Sequence, residues 1–326
     1  MKRCAMEGNI MKQRYAFFTG SCLALPAIEY LAQTDQLACV VLVDAEPNPD
    51  LNQLVGYLQQ RQLPLCRYER QEPHRLLTHL DGFQATSGFI YLYRHILCND
   101  VIDYFQQRLY NLHPSALPDY RGPFPLYWQL RNGEMQVCLT LHQVTDQPDA
   151  GPIGSQLVLP VHPFDTLQSL SVKVSRAVPQ LMQEFSVKRD ESSVDWQPQS
   201  IKSDPALAPS IQQEDVVIHW QQQSSKQLVD LIRAGNPNLG GALLKTPKGC
   251  FNVLQATAVD NAVLGLRPGT ILSLSLESGL VVKTLDGAIR LDVISTPEGI
   301  FDGYRFAVLF GVEPGLELNG QESRFG

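Results

Sequence analysis

The chain has 326 residues, which exceeds one typical domain and fits two. Hydrophobic residues make up 44% and charged residues 18% of the sequence, as in a globular protein with a core of useful size. The net charge of -7 argues against a broad nucleic-acid interface, because such an interface needs a basic surface. A local basic patch is not excluded by this charge.

Seven cysteines are scattered along the chain without a Cys-x-x-Cys pair. This pattern indicates reduced thiols and a cytoplasmic location rather than a disulfide framework. No apolar run reaches the length of a membrane span, and the start of the chain lacks the apolar stretch of a signal peptide, so we expect no membrane partner. Met11 precedes the first predicted strand, and the sequence leaves open whether Met1 or Met11 is the start.

Strands alternate with helices over residues 11–186, which we predict to form one domain. Such alternation is typical of an α/β fold, here a Rossmann-like, doubly wound, mostly parallel sheet with helices on both faces. In these sheets, ligands bind beyond the carboxyl ends of the strands, where the strand order reverses. Strands are predicted over residues 14–19, 38–43, 63–66, 89–93, 108–112 and 137–144, and helices over residues 23–32, 51–61, 126–131 and 166–185.

Residues 187–214 contain few large apolar side chains and are predicted to be a linker. From 215 to 318 the pattern changes to short β-prone runs separated by Pro-Gly and Asp-Gly turns, which predicts a C-terminal OB-like small β-barrel domain. Ser224 and Gln227 form a capping-box pattern at the start of a predicted helix. The predicted elements are strands over 216–220, 242–245, 250–258, 270–274, 280–284 and 289–294, and a helix over 226–234.

Three polar side chains are predicted to meet at the end of a strand. Asn111 and His113 are two residues apart, so their side chains share one face of the strand, and Pro114 then ends it. Asp149, followed by Gly151, lies just past the next predicted strand, where a loop can bring its carboxylate over the same position. An amide donor, an imidazole and a carboxylate would then surround one point.

This set of groups suits attack of an amine on a formamide. A fixed donor such as the Asn111 amide stabilises the developing oxyanion by about 3–4 kcal/mol. His113 can assist with charge stabilisation and proton transfer near neutral pH. Asp149 can pass the proton to the leaving nitrogen, directly or through a bound water. Binding both substrates supplies much of the rate, so no side chain needs to be acylated.

Each of these residues also has a structural interpretation. Asn-x-His at a strand end is more often structural than catalytic, and Asp149 before a glycine is typical of a turn. His142, inside an apolar strand, is by default a hydrogen-bonded core histidine. The joint spacing of all these residues favours the chemical interpretation, because independent matches at this spacing are improbable.

The segment resembles the folate-dependent formyltransferase family, which includes methionyl-tRNA formyltransferase-like and sugar N-formyltransferase-like members. The resemblance extends over residues 14–186, and the remainder resembles the family's appended OB-type domain. It rests on Asn111-Leu-His113, Ser115-Ala-Leu-Pro118, Arg121-Gly122, and Thr140-Leu-His142 through Asp149-Ala-Gly151-Pro-Ile153.

The resemblance implies that 10-formyltetrahydrofolate is the co-substrate and that no metal takes part. It implies a carrier pocket formed by Arg94, Ile96, Leu97, Ser115, Ala116, Leu117, Pro118 and Asp146, and acceptor contacts from Ser21, Arg121 and His142. Ala116, Cys98 and Cys138 depart from the family pattern and leave an altered folate pocket open.

The charge pattern favours a small amine acceptor, such as a nucleotide-linked amino sugar, over tRNA. The segment of residues 44–50, after the second strand, is short and acidic. Residues 215–326 carry nine Lys and Arg against eleven Asp and Glu, a net charge of -2, which opposes contacts with phosphates. Methionyl-tRNA formylation, hydrolysis of formyl-folate and a non-catalytic folate-binding module remain alternatives. The oligomeric state and any contact of the OB-like domain with the acceptor stay open.

Overall fold

The structure, a computed structural model, describes residues 13–190, 193–200, 203, 205–260 and 265–318, so that Met1 and Met11 lie outside the described residues. It contains two compact units, and each combines three stretches of the chain. The first unit is the described part of Met1–Pro118, Cys138–Leu157 and Val174–Ser203, and the second unit is that of Asp119–Val137, Val158–Lys173 and Asp204–Gly326. The linear boundaries at 186 and 214 therefore stay predictions.

A seven-stranded, mostly parallel sheet carries Asn111 and His113. Its order is β3-β2-β1-β4-β5-β6-β7, in which β1 to β5 run parallel and β6 runs antiparallel to β5. The order reverses beside β1, which makes the sheet doubly wound as predicted. The strands are β1 (Tyr15–Thr19), β2 (Leu37–Val43), β3 (Leu65–Tyr68), β4 (Ser87–Ile90), β5 (Leu109–His113), β6 (Gln136–Gln143) and β7 (Ile153–Pro160).

The central strands form because they are continuous apolar runs. Every residue of β1 and of β2 is buried, as expected for strands covered on both faces. On one face of the sheet Phe18 packs edge-on against Phe105 with ring centroids 6.0 Å apart, and on the other face Tyr15 stacks on Phe89 at 4.5 Å. Aromatic side chains therefore cover both faces of the central strands.

The helices of this α/β region begin at recognisable signals. Asn48 caps α2 by accepting a hydrogen bond from the Leu51 amide, and a proline follows it at the first helical position. Two short helices, α3 and α4, and strand β7 were not predicted, and α6 continues five residues beyond its predicted end. The helices are α1 (Leu25–Gln33), α2 (Pro49–Gln60), α3 (Pro73–Gly82), α4 (Asn99–Tyr104), α5 (Pro125–Arg131) and α6 (Leu167–Asp190), with a 3-10 helix at Cys22–Ala24 before α1.

The C-terminal part of the second unit is an antiparallel sheet of order β10-β11-β12-β9-β8, with β13 paired to β12. All five predicted strands from residue 242 onward form, and the capping box of Ser224 and Gln227 starts α7 as predicted. The predicted fold class is confirmed. The elements are α7 (Ser225–Gly235), β8 (Ala242–Thr246), β9 (Gly249–Val259), β10 (Ile271–Ser275), β11 (Gly279–Lys283), β12 (Ala288–Thr296), β13 (Gly299–Phe301) and α8 (Gly303–Phe310).

The prediction of a strand over residues 216–220 is wrong. Gln213–Val216 is a 3-10 helix, capped by a hydrogen bond from the Gln212 amide to the Asp215 carboxylate. Within the predicted strand only Val217 forms a β-bridge, to Leu243. The run is apolar because Ile218 and Trp220 are buried in the core of this unit, and burial alone does not distinguish a strand from a buried loop. Among the described helices, none combines the length and apolarity that a membrane crossing requires.

Gly241 and Gly311 form a matched pair for testing how closely two backbone segments approach at Gly241. Both have left-handed backbones, with φ of 80° and 63°. A Cβ at Gly241 would lie 2.0 Å from the Val253 carbonyl oxygen, whereas a Cβ at Gly311 meets nothing within 4 Å. We expect Gly311→Ala to cost about 1 kcal/mol from backbone strain alone and Gly241→Ala to cost clearly more. Thermal unfolding followed by circular dichroism compares the two, and equal losses would contradict the close approach.

Candidate functional site

The pairing of β5 with β6 places four polar side chains on one face of the sheet. Asn111 and His113 alternate with Leu112 along β5 and therefore point the same way. Because β6 runs antiparallel, Asn111 lies opposite His142 and His113 lies opposite Thr140. Directly opposite residues share a face, so the two histidines flank the Asn111 amide.

The carboxylate of Asp149 contacts this group. Asn111 Nδ2 donates to Asp149 Oδ1 at 3.1 Å, and the same oxygen lies 3.6 Å from His113 Nδ1 and 3.8 Å from His142 Nε2. The side chains are 6% exposed for His113, 2% for His142 and 15% for Asp149. The structure thus brings together the three residues that the sequence singled out, with Asp149 on the more exposed side.

His142 has a defined tautomer. Its Nδ1 lies 2.8 Å from the Gln143 carbonyl oxygen, which can only accept, so Nδ1 carries the proton. In the neutral ring Nε2 is then an acceptor, and Asn111 Nδ2 lies 3.2 Å from it. The two N–H groups of the Asn111 amide are therefore directed at Asp149 and at His142. His142 is both a buried core histidine and a residue that orients Asn111.

Gly151 explains the Asp-x-Gly spacing. A Cβ at Gly151 would lie 1.9 Å from the Gln143 carbonyl oxygen, so only glycine lets the loop fold back onto the end of β6. The Gln143 amide donates to the Pro152 carbonyl at 2.9 Å and closes the loop. Asp149 itself has a left-handed backbone with φ of 54°, which turns its side chain towards Asn111.

A segment that the sequence predicted to be linker holds this loop in place. We call residues 196–199 the strap. Gln199 Nε2 donates to the carbonyl oxygens of both Asp149 and Gly151 at 2.8 Å. Gln197 exchanges two backbone hydrogen bonds with Ile153 at 2.8 and 2.9 Å. A Cβ at Gly154 would lie 2.7 Å from the Trp196 ring, so this ring packs directly against the glycine. Trp196 is the one aromatic side chain in the stretch predicted to be linker, and it was the signal in the sequence that this stretch packs.

The turn after His113 is rigid for a similar reason. Ser115 is buried, its amide donates to the His113 carbonyl at 2.9 Å, and its own carbonyl accepts from Thr140 Oγ1 at 2.6 Å. Thr140 Oγ1 also accepts from Gln156 Nε2 at 2.9 Å. The chain continues through exposed Ala116, buried Leu117 and a cis peptide bond to Pro118. This turn therefore holds the end of β5 against β6.

The other predicted ligand-binding residues differ in their exposure. Ile96 is 64% exposed and Arg94 and Asp146 are exposed, whereas Leu97 packs into the core of the first unit. Ser21 lies in the turn after β1, and its hydroxyl oxygen accepts from the Leu23 amide at 3.2 Å. Arg121 belongs to the second unit, where its backbone pairs with Leu207. Their roles stay predictions.

The thiols of Cys22, after β1, and of Cys138, in β6, are held in the protonated form. Burial, followed by a hydrogen bond and charge from Asp50, raises the pKa of Cys22 to about 11. Burial also raises the pKa of Cys138 in β6. Neither thiol is therefore an activated nucleophile. Within the described residues, no three His, Cys, Asp or Glu side chains are grouped so that they could hold a metal ion.

The two Gln199 hydrogen bonds predict how firmly the strap holds the loop that carries Asp149. Gln199→Ala removes both, at about 0.5–1.5 kcal/mol each, so local opening of residues 145–152 should rise about ten- to a hundredfold. Gln197→Ala is the matched control, because its side chain contacts Asp195 and its backbone bonds remain. Amide hydrogen exchange by mass spectrometry measures this, and equal exchange in the two variants would contradict the clamp.

Two family models match this chain. One described as "Formyl transferase" matches residues 32–185, and one described as "Formyl transferase, C-terminal domain" matches residues 210–300. The first contains β5, β6 and the Asp149 loop, and the second contains α7 and most of the antiparallel sheet.

Solved structures with a similar fold have low sequence identity to this chain. WlaRD, a sugar 3N-formyl transferase solved in the presence of dTDP and 5-N-formyl-THF, is 17% identical with a TM-score of 0.64, over 85% of this chain and 96% of its own. An N-formyltransferase from Helicobacter canadensis, in complex with folinic acid and dTDP-3-aminofucose, is 19% identical with a TM-score of 0.62, over 85% of this chain and 98% of its own.

HypX from Aquifex aeolicus, in complex with tetrahydrofolic acid, is 17% identical with a TM-score of 0.60. The match covers 93% of this chain but 48% of HypX, so this chain spans about half the length of that protein. At these identities the likeness concerns the fold.

Proposed function

Because this chain belongs to the formyltransferase family, we propose that it transfers the formyl group of 10-formyltetrahydrofolate to an amine. The observation that carries the proposal is the contact of one carboxylate, Asp149, with the Asn111 amide and the His113 ring. Similar folds solved with tetrahydrofolic acid, 5-N-formyl-THF and folinic acid support a folate as the formyl carrier.

Asn111 is proposed to stabilise the charge that develops on the formyl oxygen. Both of its N–H groups already have acceptors, so the oxygen must take the place of one. A bond to a developing anion is stronger than one to a neutral imidazole nitrogen, so the His142 contact is the one exchanged. Asp149 keeps its bond and holds the amide plane in position. His142 thus sets the starting orientation and then gives up its contact.

His113 and Asp149 are proposed to move the proton. Attack makes the amine nitrogen positive, and its proton must leave before the carbon–nitrogen bond to the carrier breaks. His113 can take this proton, because the Asp149 oxygen 3.6 Å from its Nδ1 stabilises the imidazolium. The proton then passes to the departing nitrogen, so the sum is one formamide formed and one formamide cleaved.

The residues after β4 suit a folate ring. The Tyr93 hydroxyl is buried and has no hydrogen-bond partner among the described residues, a state that costs about 1–3 kcal/mol. Ile96, 64% exposed, offers an apolar surface nearby in the chain. A bound pterin would supply both a polar partner and cover. We propose this stretch, with the turn from Ser115 to Pro118 and Asp146, as the carrier pocket.

The Asn111 amide gives the first test. Asn111→Ala should lower kcat about 10²- to 10³-fold, the usual effect of removing one oxyanion donor, and should leave folate binding intact. Formyl transfer is measured by product analysis and carrier binding by fluorescence titration with tetrahydrofolate. Asn52→Ala on the exposed face of α2 is the control. An Asn111→Ala enzyme with near wild-type kcat would remove Asn111 from the chemistry.

For the acceptor we propose a nucleotide-linked amino sugar. Two structurally similar proteins carry dTDP or dTDP-3-aminofucose, although their identity of 17–19% supports the fold more than the ligand. The acidic stretch at residues 44–50 and the net charge of -2 from residue 215 onward oppose a large polyphosphate surface.

An acceptor panel tests this choice. The enzyme is incubated with 10-formyltetrahydrofolate and, separately, amino-sugar nucleotides, charged initiator tRNA, or no acceptor. We expect a formamide product with an amino sugar and none with tRNA. Product with tRNA alone would identify a methionyl-tRNA formyltransferase, and formate release without acceptor would identify a hydrolase. Carrier binding without any turnover would identify a non-catalytic module.

A further inference from the structure

The turn after β1 lies close to the catalytic residues. We call residues 20–24 the first turn. Phe18 pairs with Ile90, and Ile90 pairs with Asn111, so β1 ends one residue beyond the level of Asn111. With β4 between them, β1 and β5 are about 10 Å apart. The first turn therefore lies at the same sheet edge as Asn111, about two strand spacings away.

In doubly wound folds this turn usually binds phosphate, because its amides and the following helix offer unpaired N–H donors. Here every amide of the first turn already has an acceptor. Gly20 donates to Leu92 O at 3.1 Å, Ser21 to Thr19 Oγ1 at 3.3 Å, Cys22 to Asp50 Oδ1 at 2.9 Å, Leu23 to Ser21 Oγ at 3.2 Å and Ala24 to Ser21 O at 3.1 Å. No backbone N–H of this turn is left for an incoming anion.

One of these acceptors, the Asp50 carboxylate, is itself an anion. Asp50 is the second residue of α2, in the first helical turn, where the helix dipole favours a negative charge. The Asn48 cap fixes the start of α2 and so holds Asp50 over the first turn. Asp44 and Glu46 precede it on the same segment and add negative charge. The position that a phosphate takes in related topologies is occupied by the protein's own carboxylate.

We propose that Asp50 is a specificity-determining residue that fills the anion position of the first turn and rejects acceptors presenting a phosphate or carboxylate there. The consequence for substrate choice rests on the proposed function, whereas the occupation of the turn does not. The acceptor is then an amine whose neighbouring groups are hydroxyls, with any phosphates bound elsewhere. The Ser21 hydroxyl, which accepts from Leu23, keeps its own proton for such a hydroxyl.

The direct test measures binding of inorganic phosphate to the whole chain by calorimetry and by the rise in melting temperature. Asp50→Ala frees the Cys22 amide and removes the charge, so phosphate should bind at least about tenfold more tightly than to the wild type. Glu46→Ala removes the same charge from the same segment and leaves the Cys22 contact intact. It should bind phosphate no better than the wild type.

Asp50→Asn separates occupation from charge, because its amide oxygen can still accept from Cys22. It should stay closed to phosphate, and binding equal to that of Asp50→Ala would overturn the occupation proposed here. So would wild-type phosphate binding as tight as that of Asp50→Ala, or a folded Asp50→Ala that gains none. If Asp50→Ala does not fold, Asp50→Ser serves instead, since its shorter side chain also frees the amide.

Turnover distinguishes this inference from the proposed function. If the enzyme formylates an amine, Asp50→Ala should raise kcat/KM for acceptors with a phosphate beside the amine relative to neutral ones by about tenfold. An unchanged ratio, with phosphate binding gained, would overturn the role of Asp50 in specificity. Absence of turnover with every acceptor in the wild type would instead overturn the proposed function and leave the phosphate result standing.

Discussion

The negative charge of Asp149 is the fixed point around which the site is arranged. It lies on the side of the Asn111 amide away from the core and within 4 Å of two imidazole rings. Nothing in β5 or β6 supplies it, so the carboxylate must be delivered by a loop. Gly151 permits that loop to close on β6, and the strap keeps it closed from the outside. The position of Asp149 therefore depends on hydrogen bonds to the backbone of its loop and on the close approach that Gly151 allows.

The antiparallel direction of β6 determines which residue lies opposite Asn111. An antiparallel neighbour sets His142 directly opposite Asn111, and since its Nδ1 donates to the Gln143 carbonyl, Nε2 of the neutral ring can accept from the Asn111 amide. A parallel neighbour would offset the two residues and their hydrogen bonds. Because β6 runs antiparallel to β5, a core histidine becomes a hydrogen-bond partner of the Asn111 amide. The same sheet, through β1 and β4, sets the distance between Asn111 and the first turn.

Much of this arrangement could be predicted from local patterns. Asn111 and His113 follow from the two-residue period of a strand, and the Asp-x-Gly spacing pointed to a loop carrying Asp149. The contact of His142 with Asn111 was not predicted, because burial alternates identically in parallel and antiparallel strands. Gln199 was missed because it binds carbonyl groups some fifty residues earlier in the chain, a contact with no periodic signal. A strand was wrongly predicted over residues 216–220, because an apolar run indicates burial and not backbone conformation.

The interleaving of the two units bears on synthesis of the protein. The first unit draws on residues up to Ser203, including the strap that closes over Asp149. The amino-terminal strands therefore leave the ribosome long before their last partners, and they must wait for most of two hundred residues to be translated. The edge of β5, which ends at His113, has no β6 beside it until residues 114–143 have been translated. The strap, at residues 196–199, is thus among the last parts of the first unit to be synthesised.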